Sequence, residues 1–263
     1  MLDKGGYVIF TVKKMALDQV SFIQPTIFPK NIIAAESTRH GGVSLAPYHS
    51  LNLGLFTEDQ EEYVRENRKR FFEGLGIKVE QVAGSYQIHG KEVAILEQAK
   101  QLEGFDALVS NKKQLFLSVT IADCTPVLLY DSVKEVVAAI HAGWRGTTAQ
   151  IVKQVFKTMQ EHFGTEAKDC YAYIGSCIDA CDFEVDADVA DYFEDRFKNW
   201  DEEKRKFFVD LKESNKVQLE QVGVPTHQIE TSPYSTVQHN EHFFSHRKEN
   251  GQTGRSLAII GMK

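Results

Sequence analysis

Cysteine is scarce in this 263-residue chain, with four residues at Cys124, Cys170, Cys177 and Cys181. That number and spacing exclude a disulfide framework. No apolar run approaches the ~18 residues needed to cross a bilayer, so no membrane partner is expected. Dense basic blocks are also missing. Lys and Arg number 30 against 37 Asp and Glu, a net charge of −7, which argues against nucleic acid as the main partner. A single basic pocket for a small anion remains compatible with that balance. There is no internal repeat, no low-complexity tract and no Pro/Gly/Ser linker, so one domain spanning 1–263 is expected. Met1–Met15 holds a short apolar piece, Tyr7–Val12, flanked by lysines, without a long apolar region or cleavage site. It is therefore not read as a signal peptide, and a reducing cytoplasm is the expected compartment.

The chain does have ample core material: 42% hydrophobic and 11% aromatic residues. A chain of this length buries roughly 75% of its unfolded surface and needs no staples. Period-2 apolar patterns predict strands over 32–37, 81–88, 92–96, 115–121, 126–130, 136–140, 171–175 and 256–261. Helices are predicted from a Thr57 cap to Leu75, from Thr147 or Thr148 to Gly164, over 186–197 and over 210–222. The charged stretch 198–206 and the polar stretch 248–254 read as surface loops. Short turns between strands predict a largely antiparallel or mixed sheet content with helices outside. The expected fold class is α+β, a layered sandwich.

Two apolar runs, Ile121–Tyr130 and Glu135–His141, flank a short polar turn and predict a hairpin. If Tyr130 faces Glu135, then Cys124 faces His141 directly across the two strands. Facing Cβ atoms lie about 4.5–5.5 Å apart. That spacing suits a thiolate and an imidazole on one metal ion, with Zn–S about 2.3 Å and Zn–N about 2.0–2.1 Å. Pro126 should restrict one arm to a sheet edge or a bulge. His89 ends a strand before Gly90, a residue that permits a sharp turn and close approach. His89, Cys124 and His141 thus form a candidate metal set that leaves a fourth position open. Each also has an ordinary reading: a hydrogen-bonded histidine or a small buried cysteine.

Around this set stand further candidates. Asp123 precedes Cys124 and is placed to orient a ligand or take a proton. Trp144 offers a flat face, and Arg145 a fork of donors at a helix start that suits an anion. Arg39 and Asn52 lie in tight Gly-bearing loops and are candidates for substrate contact. Arg247 and Arg255 flank glycine-bearing loops near the C-terminus and suit phosphate. Cys177 and Cys181, three residues apart, lack a second pair and give a weak metal signal. His239, His242 and His246 read as a polar stretch.

Several of these segments are family signatures. They are Ser37–Ser44, Ser50–Gly54, Gln87–Gly90, Asp106–Val109, Ala122–Val127, His141–Gly146, and Phe244–Arg247 with Gly254 and Arg255. Through them the chain resembles the YfiH/laccase-domain family, the multicopper polyphenol oxidase-like proteins grouped as purine nucleoside phosphorylases. The resemblance covers about residues 32–261. It implies a single-domain α/β/β/α sandwich and a metal site at His89, Cys124 and His141. Zinc is the implied cofactor, with copper the alternative. The implied substrates are purine nucleosides and phosphate: phosphorolysis of adenosine, inosine, guanosine and methylthioadenosine, together with adenosine deamination. One departure is Gly175-Ser176, where relatives usually carry a proline after the glycine, which affects the wall near Cys177 and Cys181. Three other functions compete with that reading. A metal-free cysteine hydrolase would use Cys124 as nucleophile and His141 as base. A copper polyphenol oxidase is disfavoured, since none of the nine histidines forms a His-x-His pair. A non-enzymatic binding protein would leave the convergence of His, Cys, Asp and Arg without a purpose.

Overall fold

The computed structural model of the chain describes residues 9–11 and 20–263. Apart from Ile9–Thr11, the Met1–Met15 segment lies outside the described residues. One sheet has seven strands. Edge to edge they are Ile9–Thr11, Ser21–Ile23, Ile32–Ser37, Ser256–Met262, Phe116–Ile121, Val82–Tyr86 and Gln101–Glu103. A second sheet has six: Ile229–Thr231, Cys170–Ile174, Thr125–Asp131, Val136–Ala142, Ala107–Ser110 and Val93–Ile95. Both are mixed. Val82–Tyr86 runs parallel to both its neighbours, and Val93–Ile95 parallel to Ala107–Ser110, while the central pairs are antiparallel. A small antiparallel sheet joins Glu184–Val185, Lys206–Val209 and Lys198–Asp201.

The period-2 alternation of the central strands decides the layering. Val127, Leu129, Val136, Ala138 and Ile140 turn one way and pack with the helix Ile151–Phe163. Leu128, Tyr130, Val137 and Ala139 turn the other way and meet Leu117, Val119, Ala258 and Ile260 of the seven-stranded sheet. On that sheet's far face Phe116, Leu257 and Ile259 pack with Phe71 and Phe72 of the helix Glu61–Gly74. The order is helix, sheet, sheet, helix, as the sequence led us to expect. Strands buried on both faces read as continuous apolar runs, which is why they were legible. Among the described residues no helix is long and apolar enough to cross a membrane.

Several local expectations are corrected. Thr57 does not cap the first helix. Its hydroxyl donates to the Gly54 carbonyl, and the helix starts after Gln60. The helix expected from Thr147 or Thr148 begins at Trp144 and breaks at Gln150, whose φ is 60°. Of the helix expected over 186–197 only Ala187–Ala190 is α-helical. The loop expected over 198–206 is instead a hairpin. Its strands carry too many charges to announce themselves. The Lys198 and Lys204 ammonium groups lie over Phe207 and Phe208, and such contacts leave no periodic trace.

The central hairpin forms, but in a different register. Val136 faces Asp131 and His141 faces Pro126, so Cys124 is not the direct partner of His141. The Asp131 carboxylate accepts the amides of Val133 and Lys134, and the four-residue turn falls at 132–135, one residue later than expected. A shift of two residues preserves the face, so Cys124 and His141 still point the same way. Pro126 sits in an interior strand, not at an edge. Its carbonyl accepts the Gly175 amide, so its missing N–H falls on the same side, where the Cys170–Ile174 strand has just ended.

Candidate metal centre

The ligand atoms of His89, Cys124 and His141 all lie within 4.8 Å of one another, the one such group of three or more among the described residues. Three elements bring them together. His141 belongs to the strand Val136–Ala142, Cys124 immediately precedes the strand Thr125–Asp131, and His89 follows Val82–Tyr86 of the other sheet. Gly143 closes the packing. A Cβ there would stand 3.1 Å from Cys124 Sγ and 3.1 Å from His89 Cδ2, tighter than ordinary contact. His89 itself, not Gly90, takes the left-handed backbone, with φ 59°. Asp123 on the other side does the same, with φ 84°. Side chains other than glycine pay roughly 1–2 kcal/mol for that region, so the surrounding bonds must fix both residues.

Asp106 supplies most of those bonds. Its fully buried carboxylate accepts His141 Nδ1–H at 2.8 Å and the His89 amide at 3.0 Å on Oδ1. On Oδ2 it accepts the amides of Ile88 at 3.2 Å and Gly90 at 2.7 Å. One carboxylate therefore shapes the His89 turn and sets the His141 ring, leaving Nε2 for Cys124. Burial alone would raise the Asp106 carboxyl, but the His141 bond and the backbone amides hold it below the ordinary range. Sequence reasoning had quoted Asp106 only within a family segment. Nothing in its spacing links it to His141.

The electrostatics favour a thiolate. Burial pushes the Cys124 thiol up, yet His141 and His89 outweigh it and bring the thiol down to about 6. Burial pulls His141 down, and the Cys124 and Asp106 charges push it well above its ordinary value. Two imidazoles and a thiolate are a donor set that zinc takes. The set therefore fits a borderline-soft divalent ion.

These residues form the floor of a cavity of about 460 Å³. Trp144, Ile178, Phe183 and Leu211 form an apolar wall, and Phe56 and Tyr86 stand at another side with ring centroids 4.8 Å apart. Arg145, Arg247, Arg255 and His246 also line it. Arg255 Nη1 is held by the Thr253 and Gly254 carbonyls at 2.8 and 3.0 Å, which aims the rest of the guanidinium from a fixed base. Arg247 has its amide on Asp123 Oδ2 at 2.6 Å. Arg145 stacks over Trp144 at 4.2 Å, so that indole face is already covered.

Other candidates sit elsewhere. Arg39 does not line the cavity. Its guanidinium is spent on His49, Asn240 and Glu249 and lies over Phe244. Asn52 is fully buried and ties Thr57 and Asp59 to the amides of Gly54 and Arg255. Neither is among the residues that line the cavity; both are placed as loop anchors. Asp123 lines the cavity, but its two oxygens are taken by Thr236 Oγ1 and the Arg247 amide. Its geometry is that of an anchor. Cys177 is buried, and burial pushes its thiol up to about 12, while Cys181 is exposed. Of the polar histidine stretch, His246 reaches the cavity.

The chain is similar to known proteins over most of its length. The family model described as multi-copper polyphenol oxidoreductase laccase matches residues 33–263. A protein of Bacteroides thetaiotaomicron named purine nucleoside phosphorylase is 35% identical over 246 residues, 88% of this chain and 91% of that protein. The purine nucleoside phosphorylase YlmD of Bacillus subtilis is 33% identical over 249 residues, 89% and 90% of the two chains. The crystal structure of Bacillus licheniformis YfiH superposes with a TM-score of 0.87 at 31% identity, covering 94% of this chain and 97% of that one. Geobacillus stearothermophilus YlmD gives 0.87 at 29% identity, over 96% and 99%. With a family match over nearly its whole length and relatives above 30% identity, this chain belongs to the multi-copper polyphenol oxidoreductase laccase family.

Proposed function

We propose that the protein is a zinc-dependent purine nucleoside phosphorylase, working as one domain over 1–263. The observation that carries this reading is the convergence of His89, Cys124 and His141 on the floor of a cavity with cationic side chains around it. The named activity of the 30–35% identical relatives supports the substrate class. The cavity volume is in the range that encloses a small organic ligand.

In phosphorolysis a phosphate oxygen forms a bond to ribose C1′ while the C1′–N9 bond breaks. The electron pair leaves with the purine, which takes up a proton. His89, Cys124 and His141 would hold the zinc ion, which supplies Lewis-acid charge stabilisation when bound. Arg255, with Arg247 and Arg145, neutralises phosphate and holds it against the sugar. The apolar wall of Trp144, Ile178, Phe183 and Leu211 excludes water from the reacting bond, and Phe56 and Tyr86 offer ring faces to the base. Asp106 and Asp123 position these groups without touching substrate. Adenosine, inosine, guanosine and methylthioadenosine are the proposed substrates. Adenosine deamination is a second proposed activity of the same cavity.

Copper is the weaker assignment, because electron relay needs further multi-ligand centres and none with three ligands accompanies this one among the described residues. A metal-free cysteine hydrolase is favoured by one observation, the lowered Cys124 thiol beside His141. It gives His89 no task, although that ring also bonds the thiol. Product chromatography with adenosine or inosine plus phosphate tests the proposal. Ribose 1-phosphate and free base should form, and a chelator should stop them. Phosphate-independent hydrolysis that survives complete metal removal would support the hydrolase, and the absence of ribose 1-phosphate in zinc-loaded protein would refute phosphorolysis.

A further inference from the structure

Arg39, absent from the cavity, instead binds together three segments that each bring a histidine to the surface. Its amide donates to the His242 carbonyl at 2.9 Å, and its Nε to the His49 carbonyl at 3.0 Å. Nη1 reaches the Asn240 carbonyl at 2.8 Å and Nη2 the Glu249 carboxylate at 2.9 Å. His40 follows Arg39 directly. As a result His40 Nε2 and His242 Nδ1 stand 3.0 Å apart, on exposed rings inclined at 71°.

We propose that His40 and His242 form a second metal site, selective for a divalent transition ion that favours imidazole, with Cu²⁺ the strongest binder. Two imidazole nitrogens bound at about 2.0–2.1 Å to one ion lie about 2.9–3.4 Å apart, depending on geometry. The pair already has that separation; the two nitrogens now share a hydrogen bond, and an ion replaces that proton once the exposed rings turn to converge on it. Ligation requires both facing nitrogens to present lone pairs, which moves the His242 proton to Nε2. The Glu241 carboxylate lies 4.0 Å from that atom, too far for a hydrogen bond but of the charge that favours a proton there. An ion here clamps the 39–50 loop to the 239–249 loop, which carries His246 and Arg247 into the cavity wall. The site shares no residue with the cavity floor and does not depend on the phosphorylase reading.

The test uses the untagged full chain with His89→Asn and Cys124→Ala together, which leave the cavity floor a single ligand, and Cu²⁺ alone as the probe. Equilibrium dialysis should find one remaining equivalent, and its electron paramagnetic resonance spectrum should carry nitrogen hyperfine structure. Adding His242→Ala or His40→Ala should weaken that equivalent at least tenfold. In proton NMR of the floor double variant, the His40 and His242 ring signals should broaden first on adding Cu²⁺. Retention of the equivalent at full affinity in both triple variants overturns the proposal. So does earlier broadening of any other histidine, or the absence of a bound equivalent in the floor double variant.

Discussion

Asp106 Oδ1 lies 2.8 Å from His141 Nδ1 and receives the amide of His89 as well, so one buried oxygen orients two of the three side chains on the cavity floor. The consequence is measurable. Asp106→Asn should lower zinc affinity by roughly 10–100-fold, read by competition with a chromophoric chelator. Circular dichroism should confirm that the fold persists. Unchanged affinity would remove Asp106 from the account.

Cys124 should behave as a thiolate at neutral pH once metal is removed. Its thiol is lowered to about 6, so iodoacetamide labelling should rise from pH 5 to 7 and level off above. Cys177, whose thiol is pushed up by burial, should stay unlabelled in the folded protein. Zinc should protect Cys124. Mass spectrometry of labelled peptides separates these outcomes.

The two arginines with contrasting surroundings should fail differently. Arg255→Ala should raise the KM for phosphate about tenfold or more, with little effect on melting temperature. Arg39→Ala should leave that KM unchanged and destabilise the protein by about 1–2 kcal/mol, because the half-buried Glu249 carboxylate and Asn240 carbonyl lose a charged donor. Phosphate-dependent kinetics and a denaturant titration distinguish them.

Glu36 predicts a pH dependence of stability. Burial raises its carboxyl from 4.5 to about 7, against the bonds from Ser176 and Tyr173. The folded protein therefore holds a proton in a range where the unfolded chain has released it. That contribution is complete below about pH 4.5 and is lost as pH rises to about 7. Its size is on the order of 1–3 kcal/mol. Glu36→Gln should flatten the denaturant midpoint across this window relative to wild type.

The layered fold was readable because 127–130 and 136–140 are continuous apolar runs, the mark of strands buried on both faces. The grouping of His89, Cys124 and His141 was readable because each adjoins a glycine or a break in a strand. The hairpin register was not, since the Asp131 side chain fixes the four-residue turn one position later through bonds that no periodicity encodes. Asp106 was missed for a similar reason. Its link to His141 crosses two strands, and only the paired sheet makes them neighbours. Arg39 and Asn52 drew attention as polar residues beside glycines, yet their environments are loop anchors, and composition does not separate an anchor from a ligand contact.

An anomalous-difference map collected at the zinc edge from crystals of the purified protein tests the central claim most directly. The account predicts a peak on the cavity floor, bonded to His89, Cys124 and His141 at about 2.0–2.3 Å. A zinc-loaded crystal with no peak among those three side chains would contradict it.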